Sequence, residues 1–353
     1  MRSRVWMLLG AMLLPAAAGA ESPIKSDERV VFFPTFAYRA ADSWVLPVHG
    51  WIFEPELDSH WRAALTDALG DIIELETSEA ERARYQRRLR WFLVDNERGK
   101  AVPVRIGGRR HRLAESGADG HFNSALTIPA AALAAAAGDF VPLRAITRDG
   151  DERRFSGRVQ LVGPQGVMVV SDIDDTIKVT EVLDRRAMIR NTFYRPFRVV
   201  PGMAAAYRRW AGQGAVFCYL SASPWQLWPA LQDFMEKAGF PRGAVRLRRF
   251  RVKDGSLVDF LGSSADYKTA AIRELLARFP ERQLVLVGDA GERDPEIYGR
   301  IARAHPRRIR QVYIRRLPGA DVSAERLAQA FAGIEPARWT LFEKPSQLGE
   351  LKP

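Results

Sequence analysis

Three continuous apolar runs, each stopping abruptly at a polar cluster, constrain this chain more than any other feature. Residues 167–170 run into Ser171-Asp172-Ile173-Asp174-Asp175-Thr176, and residues 215–220 run into Ser221-Ala222-Ser223-Pro224. Residues 284–287 run into Gly288-Asp289-Ala290-Gly291-Glu292-Arg293-Asp294, and a weaker run spans 309–314. Such runs are short for helices and lack the alternation of half-exposed strands, so they read as strands buried on both faces. Helical stretches separate them; residues 267–279 carry Ala271, Ile272, Leu275, Leu276 and Phe279 on one side. An α/β domain with a parallel sheet covered on both faces is expected. The ligand crevice of such a sheet lies beyond the carboxyl ends of its strands. The polar clusters are therefore predicted to converge, bringing Asp172, Asp174, Asp289 and Asp294 into one pocket.

Four carboxylates repel strongly in a low dielectric unless a cation holds them. Oxygen-only ligation with open positions suits Mg²⁺. Zinc is not expected, because His49, His60, His111, His121 and His305 are isolated in the sequence. An EF-hand is excluded too, since its sixth and twelfth positions would be Ile177 and Leu183 rather than glycine and glutamate. A carboxylate nucleophile, Asp172, splits phosphate-ester hydrolysis into two easier steps. Asp174 then serves as acid and base, provided the chain bends after the strand. Ser221 is the candidate donor to a phosphoryl oxygen. Lys268 is the candidate for neutralising developing charge, ahead of Lys253 and Lys178.

The strings SDIDDTIKVT, NTFYRPFRVVPGM, YLSASPWQL and GDAGERDPEIY, with HPRRIRQVYIRRL, resemble the haloacid-dehalogenase (HAD) superfamily over residues 163–318. Within it they resemble the actin-patch-type phosphatidate phosphatase catalytic domain. The resemblance implies a Rossmann-like core with small cap insertions. It implies Asp172 as nucleophile and Asp174 as acid/base, with Ser221 and Lys268 as phosphate ligands. Asp289 and Asp294 would hold Mg²⁺ together with Asp172 and the backbone carbonyl of Asp174. Ala290 departs from the serine of the family's GDSGE string.

The rest of the chain carries other signals. Its 353 residues suggest two domains rather than one core. Residues 26–162 read as a β-rich, sandwich-like region: Trp44, Leu46 and Val48 alternate, as do Phe155, Gly157, Val159 and Leu161. Ser78 and Glu81 form a capping-box pattern ahead of a short helix over 82–90. The catalytic domain is expected over 163–335, followed by a tail over 336–353. Arg2 and Arg4, an apolar run over 5–14 and Ala18-Gly19-Ala20 read as a cleaved signal peptide, residues 1–20, directing the protein to the periplasm. Cys218 is the sole cysteine and lies in an apolar run, so it is expected to be buried and inert.

The formal charge of +11, lower by two without Arg2 and Arg4, favours anionic partners. No aromatic-rich RNA signature, zinc finger or basic repeat points to nucleic acid. The resemblance implies phosphatidate as substrate. Residues 183–198 mix Arg185, Arg186, Arg190, Arg195 and Arg198 with Met188, Ile189, Phe193, Tyr194 and Phe197. This suits either an interface with anionic lipid or the packing of a cap. Trp225 and Trp228 are candidates for acyl-chain contact. The competing readings are a phosphatase for soluble monoesters such as sugar phosphates or nucleotides, and a membrane- or protein-binding module with a vestigial HAD domain.

Overall fold

A computed structural model of the chain describes residues 21–55, 77–133, 139–250 and 265–351. The leader-like residues 1–20, His60, residues 134–138 and Lys253 lie outside them.

The first region contains β1 (Arg29–Phe33), β2 (Thr35–Ala40), β3 (Ser43–Pro55), α1 (Glu79–Leu89) and β4 (Val94–Asn96). It continues through β5 (Pro103–Ile106), β6 (Arg109–Arg112), β7 (His121–Pro129), β8 (Phe140–Ala145) and β9 (Ser156–Val162). One edge of β3 takes β2 and then β1; the other takes β7 and then β4, all antiparallel. The first half of β2 leaves β3 and pairs with β9 in parallel, and β8, β5 and β6 continue from β9. Thus β2 joins two leaves around one core. Leu46, Val48 and Phe122 come from one leaf, and Val104, Val141, Leu143 and Val159 from the other. Helix α1 opens as expected: the Ser78 hydroxyl accepts from Glu81 N at 3.3 Å, and the Glu81 carboxylate accepts from Ser78 N at 3.1 Å.

Between Val162 and Val167 the chain passes into a second sheet. Here lie β10 (Val167–Ser171), β11 (Lys178–Val179), α2 (Arg185–Ile189), β12 (Arg198–Val199), α3 (Met203–Gly212), β13 (Val216–Pro224), α4 (Trp228–Ala238) and β14 (Ala244–Arg248). They are followed by α5 (Ala265–Arg278), β15 (Gln283–Asp289), α6 (Asp294–Ala304), β16 (Ile309–Arg315), α7 (Ala324–Ala330) and β17 (Trp339–Phe342). The six-stranded sheet is parallel throughout, in the order β14-β13-β10-β15-β16-β17. Both faces are covered, which is why its strands read as unbroken apolar runs. Met168, Val170, Leu284 and Leu286 pack under α5 and α6, while Val169, Val285 and Val287 pack under α3 and α4. A short cap made of the β11–β12 pair and α2 follows β10.

Within the stretch 336–353, expected as a tail, residues 339–342 instead complete this sheet. β17 is its sixth strand, Leu348 and Leu351 enter the core, and Trp210 Nε1 donates to Gly349 O at 2.7 Å. A four-residue edge strand, Trp-Thr-Leu-Phe, is too short to leave a periodic signal.

The two regions also share packing. Phe33 and Trp225 pack as a tilted pair with ring centroids 4.2 Å apart, Phe36 and Val162 join the core around Met168, and Val245 N donates to Pro34 O at 3.1 Å. Strand β9 is therefore covered on both faces near Val162, so its burial alternates only in part.

Candidate active site

The three motif-bearing strands are neighbours in the sheet: β10 lies between β13 and β15. Ser171 is level with Tyr219 on one side and Val287 on the other, and Asp172 N donates to Val287 O at 2.8 Å. The residues just beyond each strand end are thereby forced into one place.

Asp172, Asp289 and Asp294 meet there, with one carboxylate oxygen of each within 4.8 Å of the others. All three are essentially sealed from solvent. Lys268, in the first turns of α5, inserts among them: its Nζ lies 2.9 Å from Asp172 Oδ1, 2.7 Å from Asp294 Oδ1 and 3.0 Å from Glu292 Oε2. Thr176 Oγ1 donates to Asp172 Oδ2 at 3.1 Å. Asp289 Oδ1 accepts from Gly291 N and Glu292 N at 2.7 and 3.2 Å, whereas its Oδ2 is buried with no hydrogen-bond partner. Gly288 is required by close approach: a Cβ there would lie 2.1 Å from Asp294 Oδ2.

Four carboxylates thus face one lysine. Burial first, and then the surrounding carboxylates, push Asp172 and Asp289 well above the usual carboxylate range against the pull of Lys268. Asp294 is raised as well, again chiefly by burial. Burial alone would lower Lys268, but Asp172, Asp294 and Glu292 outweigh it and hold the ammonium well above its ordinary value. A buried carboxylate oxygen without a donor, beside two further carboxylates, fits a cation ligand. The donor set is oxygen only and could bind a metal ion.

Asp174 does not join this cluster. Strand β10 ends at Ser171 and the chain turns sharply, with Asp175 in the left-handed region at φ 53°, so the two-residue alternation of a strand no longer applies. The Asp174 carboxylate sits in a polar cradle of its own. Its Oδ2 accepts from Ser221 Oγ and Ser223 Oγ at 2.8 and 3.0 Å. Its Oδ1 accepts from Thr180 Oγ1 at 2.9 Å and pairs with Lys178 Nζ at 2.7 Å. Burial would raise its pKa, but Lys178 and the hydroxyls prevail and hold it down to about 2. Ser221 therefore spends its hydroxyl proton on Asp174, and Lys178, the lesser lysine candidate, is the partner of Asp174.

Sequence reasoning passed over three contributors. Asp175 braces the turn: its carboxylate accepts from Thr180 N, Glu181 N and Val182 N at 2.7–2.9 Å, and Arg315 donates to its carbonyl at 2.6 Å. Glu292 contacts Lys268, and Ser223 contacts Asp174. All three lie inside the polar clusters after the strands, which was the available signal.

Other expectations meet a different structure. Trp225 and Trp228, candidates for acyl contact, are each 4% exposed and belong to the core. Ile189 and Phe193 of the 183–198 segment are fully buried, and Tyr194 stacks on Tyr85 at 4.6 Å, as a packed cap requires. His49 and His121 are not isolated: the pairing of β3 with β7 brings Nε2 and Nδ1 to 3.0 Å beside Trp225. Burial holds His49 well below its usual value and His121 down to about 4, so neither is charged at neutral pH. Cys218 is buried as expected, with burial pushing its thiol up to about 12.

Residues 167–316 match the family described as phosphatidate phosphatase APP1, catalytic domain. The chain is 38% identical over 158 residues to phosphatidate phosphatase APP1 of Saccharomyces cerevisiae, covering 44% of this chain and 26% of that protein. It is 30% identical over 179 residues to an uncharacterized Schizosaccharomyces pombe protein, covering 50% of this chain and 29% of that one. The chain spans less than a third of the length of these curated relatives. The matched segment begins with β10 and ends just after β16, so it encloses Asp172, Asp174, Ser221, Lys268, Asp289 and Asp294. Over residues 167–316, this chain is similar to the catalytic domain of the phosphatidate phosphatase APP1 family.

Proposed function

We propose that this protein is a Mg²⁺-dependent phosphomonoesterase, with phosphatidate as its substrate and diacylglycerol and phosphate as products. The observation that carries the reading is the buried Asp172–Asp289–Asp294 cluster around Lys268, with the unpartnered Asp289 Oδ2. The yeast relative's name supplies the lipid substrate.

In this reading a carboxylate oxygen of Asp172 attacks phosphorus. An aspartyl–phosphate bond forms and the bond to the departing ester oxygen breaks. Lys268 neutralises charge that builds on the phosphoryl oxygens. Mg²⁺ held by Asp172, Asp289 and Asp294 would supply further charge neutralisation at the same place. Asp174 lies in a separate cradle, and at a pKa of about 2 it is a base at rest. A phosphate dianion arriving beside it raises its proton affinity, so Asp174 takes up a proton from solvent as substrate binds and gives it to the leaving alkoxide. It then takes the proton back from the water that hydrolyses the aspartyl phosphate. Ser221 donates to a phosphoryl oxygen once substrate competes with Asp174 for its hydroxyl. The leader-like residues 1–20 add the proposal that this chemistry takes place in the periplasm, which N-terminal sequencing of a periplasmic fraction would test.

The test is phosphate release with and without Mg²⁺, from phosphatidate in mixed micelles and from a panel of sugar phosphates and nucleotides. Mg²⁺-dependent turnover selective for phosphatidate is expected. Turnover confined to soluble esters would discard the lipid substrate and keep the chemistry, and no turnover on any ester would overturn the proposal.

A further inference from the structure

A cavity of about 720 Å³ lies between three parts of the chain: helix α1, the end of the cap at 196–199, and helix α4. Its volume falls within the range of small-molecule sites. Helix α1 lines it with Arg84, Arg87, Arg88 and Arg90, and α4 adds Lys237. The one carboxylate in the lining, Asp233, is paired with Lys237 at 2.8 Å. The four arginines have no carboxylate partner within salt-bridge range among the described residues. Arg84 and Arg88 instead donate to the backbone carbonyls of Tyr194 and Thr192, at 2.8 and 2.6 Å. Backbone carbonyls orient the guanidinium groups without cancelling their charge. Arg88 is 8% exposed, and burial together with Arg84 and Arg87 lowers it to about 9, as close-set cations do to one another.

The remaining wall is apolar: Trp91, Phe197, Val199 and Phe234 line it, and Val199 is one of two large apolar side chains exposed among the described residues. The Arg88 guanidinium lies over the Phe197 ring, 3.8 Å from its centroid. Unneutralised arginines above an apolar wall match a molecule with a phosphate at one end and hydrocarbon at the other. None of the lining residues belongs to the carboxylate site.

We propose that this cavity is a second lipid site, which holds the headgroup of an anionic phospholipid and docks the protein on a membrane. The claim stands apart from the phosphatase reading, since it concerns binding by residues outside the reacting centre. The surface it creates also brings three chain segments together on one ligand, which gives the packed cap a binding role beside its structural one.

The test uses the full chain in EDTA, co-sedimented with vesicles of phosphatidylcholine alone or containing phosphatidylglycerol, a phosphodiester that is not a monoester substrate. Two exposed arginines are reversed in Arg87→Glu/Arg90→Glu, which leaves the buried Arg88 in place. The control, Arg109→Glu/Arg144→Glu, makes the same change of charge on the exposed surface of the β region. Wild type is expected to bind phosphatidylglycerol vesicles and not pure phosphatidylcholine. The cavity variant is expected to lose at least tenfold in partitioning and the control less than twofold, with the circular dichroism spectrum unchanged in both. Failure of wild type to bind, equal losses in the two variants, or binding by the cavity variant at the wild-type level would each overturn the proposal. Phosphatase activity can be present or absent in any of these cases, so the two readings fail independently.

Discussion

Lys268→Met removes the ammonium in contact with Asp172, Asp294 and Glu292, and preserves most of the side chain's volume. Deleting one partner of a buried ion pair costs about 3–5 kcal/mol, because the opposite charge is left unpaired. For a chain of 353 residues that corresponds to roughly 4–7 °C in Tm, at about 1.4 °C per kcal/mol. The loss depends on pH in a defined direction. Asp172, Asp289 and Asp294 have native pKa values raised above the unfolded ones, so the native state binds extra protons. Stability without metal therefore falls as pH rises from about 4 through the raised native values. Without Lys268 those values rise further, so the deficit of the variant widens with pH. The assay is thermal unfolding in EDTA at pH 5 and pH 7.5, followed by circular dichroism. The variant should lie well below wild type at pH 7.5 and closer to it at pH 5, and Mg²⁺ should recover part of the deficit. A deficit below about 1 kcal/mol at pH 7.5, or the same deficit at both pH values, would refute the reasoning.

Three further outcomes follow from the same geometry. Gly288→Ala drives a Cβ against Asp294 Oδ2; it should cost about 1–3 kcal/mol in chemical denaturation and weaken Mg²⁺ binding measured by calorimetry. Ser221→Ala removes one of the bonds that hold Asp174 near pKa 2. The acid limb of its pH–rate profile should move upward, with kcat lower by about 10²–10³ if the hydroxyl serves the phosphoryl oxygen. Asp175→Ala strips the acceptor from three backbone N–H groups. Limited proteolysis should then cut the cap between 176 and 199 faster, while Asp175→Asn recovers part of the protection.

Much of this arrangement was legible because one physical constraint wrote it into the chain. A parallel sheet buried on both faces needs unbroken apolar strands, and the polar residue that ends each strand marks the crevice. Hence Asp172 and Asp289 could be placed together before their distances were known, and Ser78 with Glu81 marked the start of α1. What stayed hidden depends on geometry beyond the strand ends. The separation of Asp174 from the other three carboxylates is decided by one left-handed residue, Asp175. The His49–His121 contact depends on the register between β3 and β7, with the partners 72 positions apart in sequence. β17 is a short edge strand whose place comes from pairing with β16. Trp225 of SPWQLW looked available for lipid because the β region that packs on it, through Phe33, lies far away in sequence.

The central claim is that Asp172 carries the phosphoryl group. It is tested most directly by quenching turnover of phosphatidate with borohydride, which reduces an aspartyl phosphate to homoserine, and mapping the modified residue by mass spectrometry. The account predicts homoserine at position 172 in the wild type and no modification or turnover in Asp172→Asn. Modification at another residue, or sustained turnover by Asp172→Asn, would contradict it.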